Sequence, residues 1–378
     1  MKIVQLANFY TPVSGGLRTC VEQTGRGYIA AGHERVTLVP GTEDRDITFP
    51  DGRHLTVRSP LLPGSGGYRV LTARARVCAL LDKVEPDVLE ANDKLSIAWL
   101  SPWARRRGVP LVLVSHERIN AILRTRVPRW FPLDSAATAA NRRLHRLVDH
   151  IVLASAFSAA EFEVFGREKT HRVPLGVDLD TFRPAPATAQ HPERDDVRLV
   201  TVTRLSTEKH PELSIAALRE LRRRGVPASL DVIGTGPLQR RLAKVADDLP
   251  VRFLGHVAER NRLAELVAAA DVSLSPSPAE TFGLATLESL ACGVPVVVPS
   301  EGAARELIMK PESGRVTDGT PQGLADGVES LLAAPAERRR ADARAVAEQF
   351  PWSATVNGLL DVYATATNRE RVPQRERQ

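Results

Sequence analysis

Residues 271–298 read DVSLSPSPAETFGLATLESLACGVPVVV and contain the clearest structural signal in the chain. Short runs that contain valine, at 272–274 and 294–298, predict two strands, and the apolar spacing between them predicts a helix over 284–291. A strand, a crossover helix and a second strand form a parallel pair. This stretch therefore predicts an α/β fold.

The same alternation of strands and helices extends outward from this stretch. In the first half, strands are predicted at 3–7, 36–39, 88–91, 111–115 and 151–154, with helices near 17–31, 69–83, 95–107 and 135–148. In the second half, further strands are predicted at 199–203, 230–233 and 251–254, with helices near 211–224, 237–247, 259–269, 321–333 and 337–349. Each half has the pattern of a doubly wound domain, which binds ligands at the carboxyl ends of its strands.

The length of 378 residues exceeds one ordinary α/β core and suits two domains. The alternation stops after residue 173, where a stretch rich in proline, alanine and charge has no periodic apolar face. The predicted organisation is a first domain over 1–173, a linker over 174–197, a second domain over 198–350, a final helix over 351–367 that packs back towards the first domain, and a disordered tail over 368–378.

The formal net charge of +6 comes from the first half, where residues 1–178 carry 25 basic and 18 acidic side chains. Part of this surplus lies between Arg118 and Arg146, in a stretch that also contains Trp130 and Phe131. Such a combination suits an anionic membrane surface, and it equally suits solvated helix faces. No nucleic-acid-binding motif accompanies the charge, so we expect no nucleic acid partner.

The first residues, MKIVQLANFYTPVSGG, contain an apolar run that is soon interrupted by Gln5, Asn8 and Pro12. Neither a signal peptide nor a membrane-spanning helix has this pattern. We therefore expect a cytoplasmic protein that binds, at most, the inner face of the cell membrane.

Two carboxylates flank the glycine turn of the opening stretch. Glu280 lies in the loop, Glu288 lies two turns into the helix, and Gly283 between them allows close approach of a ligand to the backbone. The free N–H groups of residues 283–286 suit a diphosphate, because a helix N-terminus attracts anions. Carboxylates accept hydrogen bonds from paired hydroxyls, so one acid can hold a hexose and the other a ribose. The alternative is a helix-start acid and an ordinary surface acid.

Together with other motifs, this stretch resembles the retaining GT-B glycosyltransferases of family four, whose Glu-x7-Glu motif matches Glu280 and Glu288. VTRLSTEKHPELSIAAL places Arg204 and Lys209 at the diphosphate-binding positions of that family. The resemblance covers nearly the whole chain, up to about Ala366, and its motifs follow one another in the family's order.

Glycines and one histidine extend the resemblance. DVIGTGPLQRRL supplies Gly234 and Gly236, and the turn after the first strand supplies Gly15 and Gly16. His116 follows a strand at the position of the family's strand-end histidine. Read without the family, the glycine pair is also compatible with a simple turn, and His116 with a structural turn residue.

The resemblance implies two Rossmann-like doubly wound domains that face a cleft, with the acceptor on the first and the nucleotide sugar on the second. It implies catalytic roles for His116, Arg204, Lys209 and Glu280. It implies that the donor is bound by Gly15, Gly16, Gly234, Gly236, Phe282, Gly283, Leu284 and Glu288.

The family relatives that the chain resembles most are actinobacterial α-mannosyltransferases that use GDP-mannose and act on phosphatidylinositol mannosides or related glycolipids. This implies a hexosyltransferase whose partners are a nucleotide-sugar donor and a lipid acceptor. Departures from the family are Glu117, where many relatives carry Asp, and an unmatched loop near 60–70. Alternatives are a GT-B sugar-nucleotide epimerase, a UDP-sugar-dependent transferase with a small-molecule acceptor, and a scaffold that only binds nucleotide.

One motif suggests a metal. Asp178-Leu179-Asp180 matches the Asp-x-Asp metal signature of a different glycosyltransferase fold. Here it lies in GVDLDTF at the predicted domain junction, which resembles a structural segment of family four. We expect no essential metal and no other cofactor.

Overall fold

The computed structural model describes residues 1–11, 15–62, 67–118, 132–185 and 196–370. The backbone contacts of these residues divide into two compact units. The first unit contains the described residues of 1–118, 132–175 and 352–370, and the second contains those of 176–351.

The first unit is built on a mostly parallel sheet. Its strands are β1 (Lys2–Leu6), β2 (Glu34–Gly41), β3 (Arg45–Phe49), β4 (Gly52–Arg58), β5 (Val88–Ala91), β6 (Leu111–Ser115), β7 (His150–Leu153) and β8 (Thr170–Arg172). Their spatial order is β3-β4-β2-β1-β5-β6-β7-β8, and β3 runs antiparallel to β4. The helices of this part of the chain are α1 (Gly15–Ala30), α2 (Arg74–Val84), α3 (Ile97–Arg107), α4 (Leu133–Leu147) and α5 (Ala156–Glu163).

The second unit is built on a sheet whose neighbouring strands all run parallel. Its strands are β9 (Val197–Val202), β10 (Ala228–Ile233), β11 (Val251–Gly255), β12 (Val272–Leu274), β13 (Val296–Pro299) and β14 (Gly314–Thr317). Their order is β11-β10-β9-β12-β13-β14, which is the Rossmann order. The helices are α6 (Pro211–Arg223), α7 (Gln239–Val245), α8 (Arg260–Ala268), α9 (Leu284–Ala291), α10 (Pro321–Leu332) and α11 (Ala336–Ala347).

The last helix, α12 (Trp352–Glu370), belongs to the first unit. Its Val356, Leu359 and Val362 are buried in one cluster with Ile3 and Val88. The helix therefore completes the hydrophobic core of a unit whose other residues lie far earlier in the chain.

The predicted α/β fold class is confirmed, and the predicted strands and helices are found within a few residues of their expected ends. The prediction missed β3, β4, β8, β14 and α5. β8, β14 and α5 are short, and β3 and β4 form an antiparallel pair at the end of the sheet, where β3 is exposed along its whole length.

The predicted linker over 174–197 needs correction. Phe182 is fully buried, and the guanidinium of Arg344 donates hydrogen bonds to the carbonyls of Phe182 and Leu179, at 2.9 and 3.3 Å. Residues 176–185 are thus a packed part of the second unit, and β9 already begins at Val197. Likewise, α12 extends to Glu370, beyond the predicted start of the tail.

Across the described ranges, no helix has both the length and the apolarity needed to cross a bilayer. The aromatic residues Trp130 and Phe131 of the basic stretch lie outside the described residues, so the predicted membrane-facing surface stays a prediction.

We predict that Gly27→Ala destabilises the first unit. A Cβ atom at Gly27 of α1 would lie 2.3 Å from Cγ2 of Val356 on α12, so the two helices pack too closely for a methyl group. Overpacking of this kind costs about 1–3 kcal/mol, although alanine is otherwise the better helix former. Chemical denaturation should show this loss of unfolding free energy.

The matched control for this variant is Arg26→Ala, because Arg26 is the exposed neighbour on the same helix. Its unfolding free energy should stay within about 0.5 kcal/mol of the wild type. Combining Gly27→Ala with Val356→Ala should restore part of the loss. A Gly27→Ala variant that is as stable as the wild type contradicts the close packing of α1 against α12.

Candidate active site

The candidate site of the second unit lies where its strand order reverses. The chain starts the sheet at β9, builds outward through β10 and β11, and then returns to place β12 on the other side of β9. The loops after β9 and β12 consequently leave the same edge of the sheet side by side. Ligands of doubly wound sheets bind at such a switch point.

Lys209 and Glu280 meet at this switch point. The ammonium nitrogen of Lys209 lies 2.7 Å from a carboxylate oxygen of Glu280, although the two residues are 71 positions apart. Their side chains keep 25% and 22% of their surface exposed, so a ligand can reach both. The N–H of Ala303 donates to the Glu280 carbonyl at 2.8 Å and holds the loop in place.

Arg204 is exposed on the loop after β9, close to Glu208. The Glu208 carboxylate accepts a 2.6 Å hydrogen bond from the Ser206 hydroxyl. Burial raises the pKa of Glu208, but the Ser206 hydrogen bond and the charges of Arg204 and Lys209 outweigh it, so the net shift is downward. The acid therefore stays ionised between the two cations. Glu208 was not among the predicted site residues, although it directly precedes Lys209 in the sequence.

Gly234 and Gly236 allow the loop after β10 to pack against the loop after β9. A Cβ at Gly234, where φ is +130°, would lie 1.9 Å from the Thr203 carbonyl oxygen, and a Cβ at Gly236 would lie 2.3 Å from that of Leu205. Only glycine permits such an approach of backbone to backbone. The structure thus gives these glycines a packing role beside the one that the sequence predicted.

Gly283 precedes α9 in the left-handed conformation, with φ of +97°, and Leu284 begins the helix. No side chain caps this N-terminus, so the first backbone N–H groups lack the usual internal acceptor. The adjacent Phe282 is buried, and its ring packs edge-on against Phe350 at 6.2 Å. Phe282 therefore fixes the turn from inside the core.

Glu288 has a different partner from those of the Lys209–Glu280 pair. Its carboxylate is almost fully buried on α9 and accepts a 2.9 Å hydrogen bond from Arg260, whose guanidinium stacks 4.8 Å from the Phe182 ring. Burial raises the pKa of Glu288, and the charge and hydrogen bond of Arg260 offset only part of that rise. Arg260 was not among the predicted site residues, although it begins α8 shortly after the VRFLGHV strand.

Asp178 of the Asp-x-Asp motif is engaged in a local turn. Its carboxylate accepts hydrogen bonds from the N–H of Asp180 at 3.2 Å, the N–H of Thr181 at 3.0 Å and the hydroxyl of Thr181 at 2.7 Å. This arrangement is a capped turn that supports the segment packed against Arg344.

In the first unit, His116 follows β6 directly. Because β6 lies beside β5 in the sheet, His116 meets Asn92, the residue after β5, and its Nε2 lies 2.8 Å from the Asn92 side-chain oxygen. Burial lowers the pKa of His116 to about 4, so the imidazole is neutral at pH 7. Gly15 and Gly16 are exposed at the first turn of α1, next to residues outside the described ranges.

Comparison with known proteins places both halves of the chain. Residues 187–347 match the glycosyl transferases group 1 model, and residues 14–181 match the Glycosyltransferase Family 4 model. The GDP-mannose-dependent alpha-(1-6)-phosphatidylinositol dimannoside mannosyltransferase of Mycobacterium tuberculosis is 40% identical over 365 residues, which cover 95% of each chain. The GDP-mannose-dependent alpha-(1-6)-phosphatidylinositol monomannoside mannosyltransferase of Mycolicibacterium smegmatis is 32% identical, over 90% of this chain and 91% of its own.

Solved structures share the fold. Sucrose-phosphate synthase from Thermosynechococcus elongatus superposes with a TM-score of 0.82 at 20% identity, covering 98% of this chain and all of its own. Anabaena HepE in complex with UDP and glucose superposes with a TM-score of 0.73 at 21% identity, covering 97% and 99%. The chain therefore belongs to the family-four glycosyltransferases, sugar-transferring enzymes of the GT-B fold.

Proposed function

We propose that this enzyme transfers α-mannose from GDP-mannose to a phosphatidylinositol mannoside or a related glycolipid, with retention of the anomeric configuration. The observation that carries the proposal is the Lys209–Glu280 pair at the switch point, beside Arg204 and the uncapped N-terminus of α9. The proposed donor and acceptor are supported by two relatives, 40% and 32% identical, whose names specify GDP-mannose and phosphatidylinositol mannosides.

As GDP leaves, negative charge develops on its phosphates. Arg204 and Lys209 would stabilise this charge together with the N–H groups at the start of α9. Two cationic side chains and a helix N-terminus would stabilise the charge on the leaving diphosphate, as a divalent metal ion does in metal-dependent enzymes. Transfer should therefore need no metal.

Glu280 would orient the mannose. In the structure its carboxylate is engaged by the Lys209 ammonium. When Lys209 turns to a phosphate, the carboxylate becomes available to accept hydrogen bonds from two sugar hydroxyls. The pair would thus open as the donor enters.

Glu288 would bind the ribose hydroxyls, with Arg260 as a competing partner for the same carboxylate. Arg260 offsets part of the free-energy cost of burying the Glu288 carboxylate, so it favours the charged form at this buried position. Ribose hydroxyls would then replace the guanidinium as hydrogen-bond donors.

His116 would accept or donate a hydrogen bond at the transferred sugar as a neutral imidazole. We propose front-side attack, in which the leaving phosphate takes the proton of the acceptor hydroxyl while the acceptor oxygen bonds to the anomeric carbon. A lipid acceptor would bring the enzyme to the inner face of the cell membrane, where the basic surplus of residues 1–178 favours binding to anionic lipid.

We predict that Glu280→Gln lowers mannose transfer on the order of 10²-fold, because one of the two carboxylate oxygens that orient the sugar is replaced by an NH₂ donor and the negative charge is lost. The assay follows radiolabel from GDP-mannose into a mycobacterial lipid extract, beside UDP-glucose and other labelled donors. Excess EDTA should leave the wild-type rate unchanged.

Glu265→Gln is the matched control, because Glu265 is an exposed acid of the second unit paired only locally with Arg262 in the described contacts. It should retain the wild-type rate. The proposed donor would be contradicted if the wild type transferred sugar from UDP-glucose and not from GDP-mannose. It would also be contradicted if the wild type transferred sugar from no donor. Loss of activity in EDTA that Mg²⁺ restores would contradict metal-free transfer.

We predict that Arg260→Met raises the pKa of Glu288 further, because the carboxylate loses the charge and hydrogen bond that oppose the effect of burial. Since the folded-state pKa then lies further above the unfolded value of about 4.3, the variant loses stability as pH rises through that interval. Titration of the Glu288 carboxyl carbon by NMR measures the shift.

Arg262→Met, two residues further along α8 and paired with exposed Glu265, serves as control and should leave the Glu288 titration unchanged. An unchanged titration in Arg260→Met would show that Arg260 does not hold Glu288.

A further inference from the structure

A buried carboxylate that is not among the predicted site residues lies in the sheet of the first unit. Glu90 is 2% exposed in the middle of the sheet, on β5. It accepts hydrogen bonds from Tyr28 at 2.8 Å, Tyr363 at 2.7 Å, Asn92 at 2.7 Å and Gln5 at 3.1 Å. Burying a carboxylate costs free energy that an apolar residue in the same place would not.

We propose that Glu90 is a positioning residue for His116, and that it acts through Asn92 to fix the orientation and the tautomer of the imidazole. The inference rests on the role proposed above for His116 in sugar transfer. It assigns a function to Glu90 and to its partner Tyr363 on α12, neither of which belongs to the motifs that identify the family.

The chemistry of each partner fixes the direction of these hydrogen bonds. The Glu90 carboxylate accepts from four donor groups, of which the Asn92 NH₂ is one, so the Asn92 amide points its NH₂ group at Glu90 and its oxygen at His116. The His116 Nε2 atom must then carry the proton that it donates to that oxygen, 2.8 Å away. The proton is thereby placed on Nε2 and the imidazole lone pair on Nδ1.

The other side of Glu90 is fixed in the same way. The Arg35 guanidinium donates to the side-chain oxygen of Gln5 at 2.8 Å, so the Gln5 NH₂ group faces Glu90. Gln5 and Glu90 are paired in register on β1 and β5, which brings their side chains to the same face. Arg35 donates to the Gln5 oxygen and the Gln5 NH₂ group donates to Glu90, so the Gln5 amide has one orientation that suits both partners.

The last helix takes part through Tyr363. Its hydroxyl lies 2.7 Å from Glu90 and 3.1 Å from the Tyr28 hydroxyl, and its ring is fully buried. Burial and the Glu90 charge keep the pKa of both tyrosines well above the ordinary range, so both remain donors. Docking of α12 thus contributes to the ordering of a side chain at the far end of β6.

The first test is ¹⁵N NMR of the His116 ring in the full-length wild type. The proposal requires a neutral ring with its proton on Nε2 at pH 7. A ring protonated on Nδ1 would overturn it, whatever the enzyme transfers.

The second test is Glu90→Gln, which keeps the shape and removes the charge. A neutral amide cannot accept from all of its neighbours, so Asn92 is released to flip and the His116 signal should become a mixture of tautomers. The kcat for mannose transfer should fall on the order of 10²-fold, as for a misplaced catalytic group, with a small change in the KM for GDP-mannose. Tyr363→Phe should shift both readouts in the same direction by less.

Thr355→Val is the matched control on α12, because the Thr355 hydroxyl donates to the Pro174 carbonyl at 2.9 Å, outside the described contacts of Glu90. It should leave the tautomer and kcat unchanged. In a His116→Ala background, Glu90→Gln should cause no further loss of kcat. An equal loss in that background, in a folded variant, would show that Glu90 acts independently of His116 and overturn the proposal.

The two hypotheses fail separately. If the tautomer changes in Glu90→Gln while transfer does not, the positioning role stands and His116 drops out of the mechanism. If the tautomer is unchanged, the positioning role fails even when the enzyme proves to be a mannosyltransferase.

Discussion

The reversal of strand order between β9 and β12 is the constraint on which the candidate site depends. Right-handed crossovers put all helices on one face of a parallel sheet while the chain proceeds in one direction, so helices on both faces require the chain to return to its first strand and extend the sheet the other way. The loops after β9 and β12 then lie together whatever their sequences. In this chain one of these loops carries a cation, Lys209, and the other a carboxylate, Glu280, with an uncapped helix following.

Each described charge of the site has a partner of opposite sign or a nearby compensating charge. An ion pair that keeps about a quarter of each side chain exposed, as Lys209 and Glu280 do, contributes on the order of 1 kcal/mol or less. A charge-assisted hydrogen bond contributes about 1.5–3 kcal/mol. Exchange of the Lys209–Glu280 contact for contacts with phosphate and sugar is therefore favourable in principle, and the pair keeps both groups placed beforehand.

The sequence sufficed where the signal was local. The strands at 272–274 and 296–298 are short, buried along their whole length and contain valine, so they could be predicted, and the motif around Glu280 identified the site residues. It failed where the partner is distant. Glu90 reads as one polar residue in a short strand, and nothing near it shows that Tyr363, 273 residues later, donates to it. Arg260 was missed for the same reason, since its partner Glu288 lies 28 residues further along the chain. Glu208 was missed although its partner Ser206 is two residues away, because a single acid in a polar loop has no distinctive spacing.

Anchoring of the donor through its diphosphate is the central claim, and calorimetric titration with GDP and with guanosine tests it most directly. The wild type should bind GDP at least about 100-fold more tightly than guanosine, since several charge-assisted contacts add to the affinity. Lys209→Met should weaken GDP on the order of tenfold or more and leave guanosine unchanged. Equal binding of GDP and guanosine, or equal weakening of both by Lys209→Met, would contradict the account.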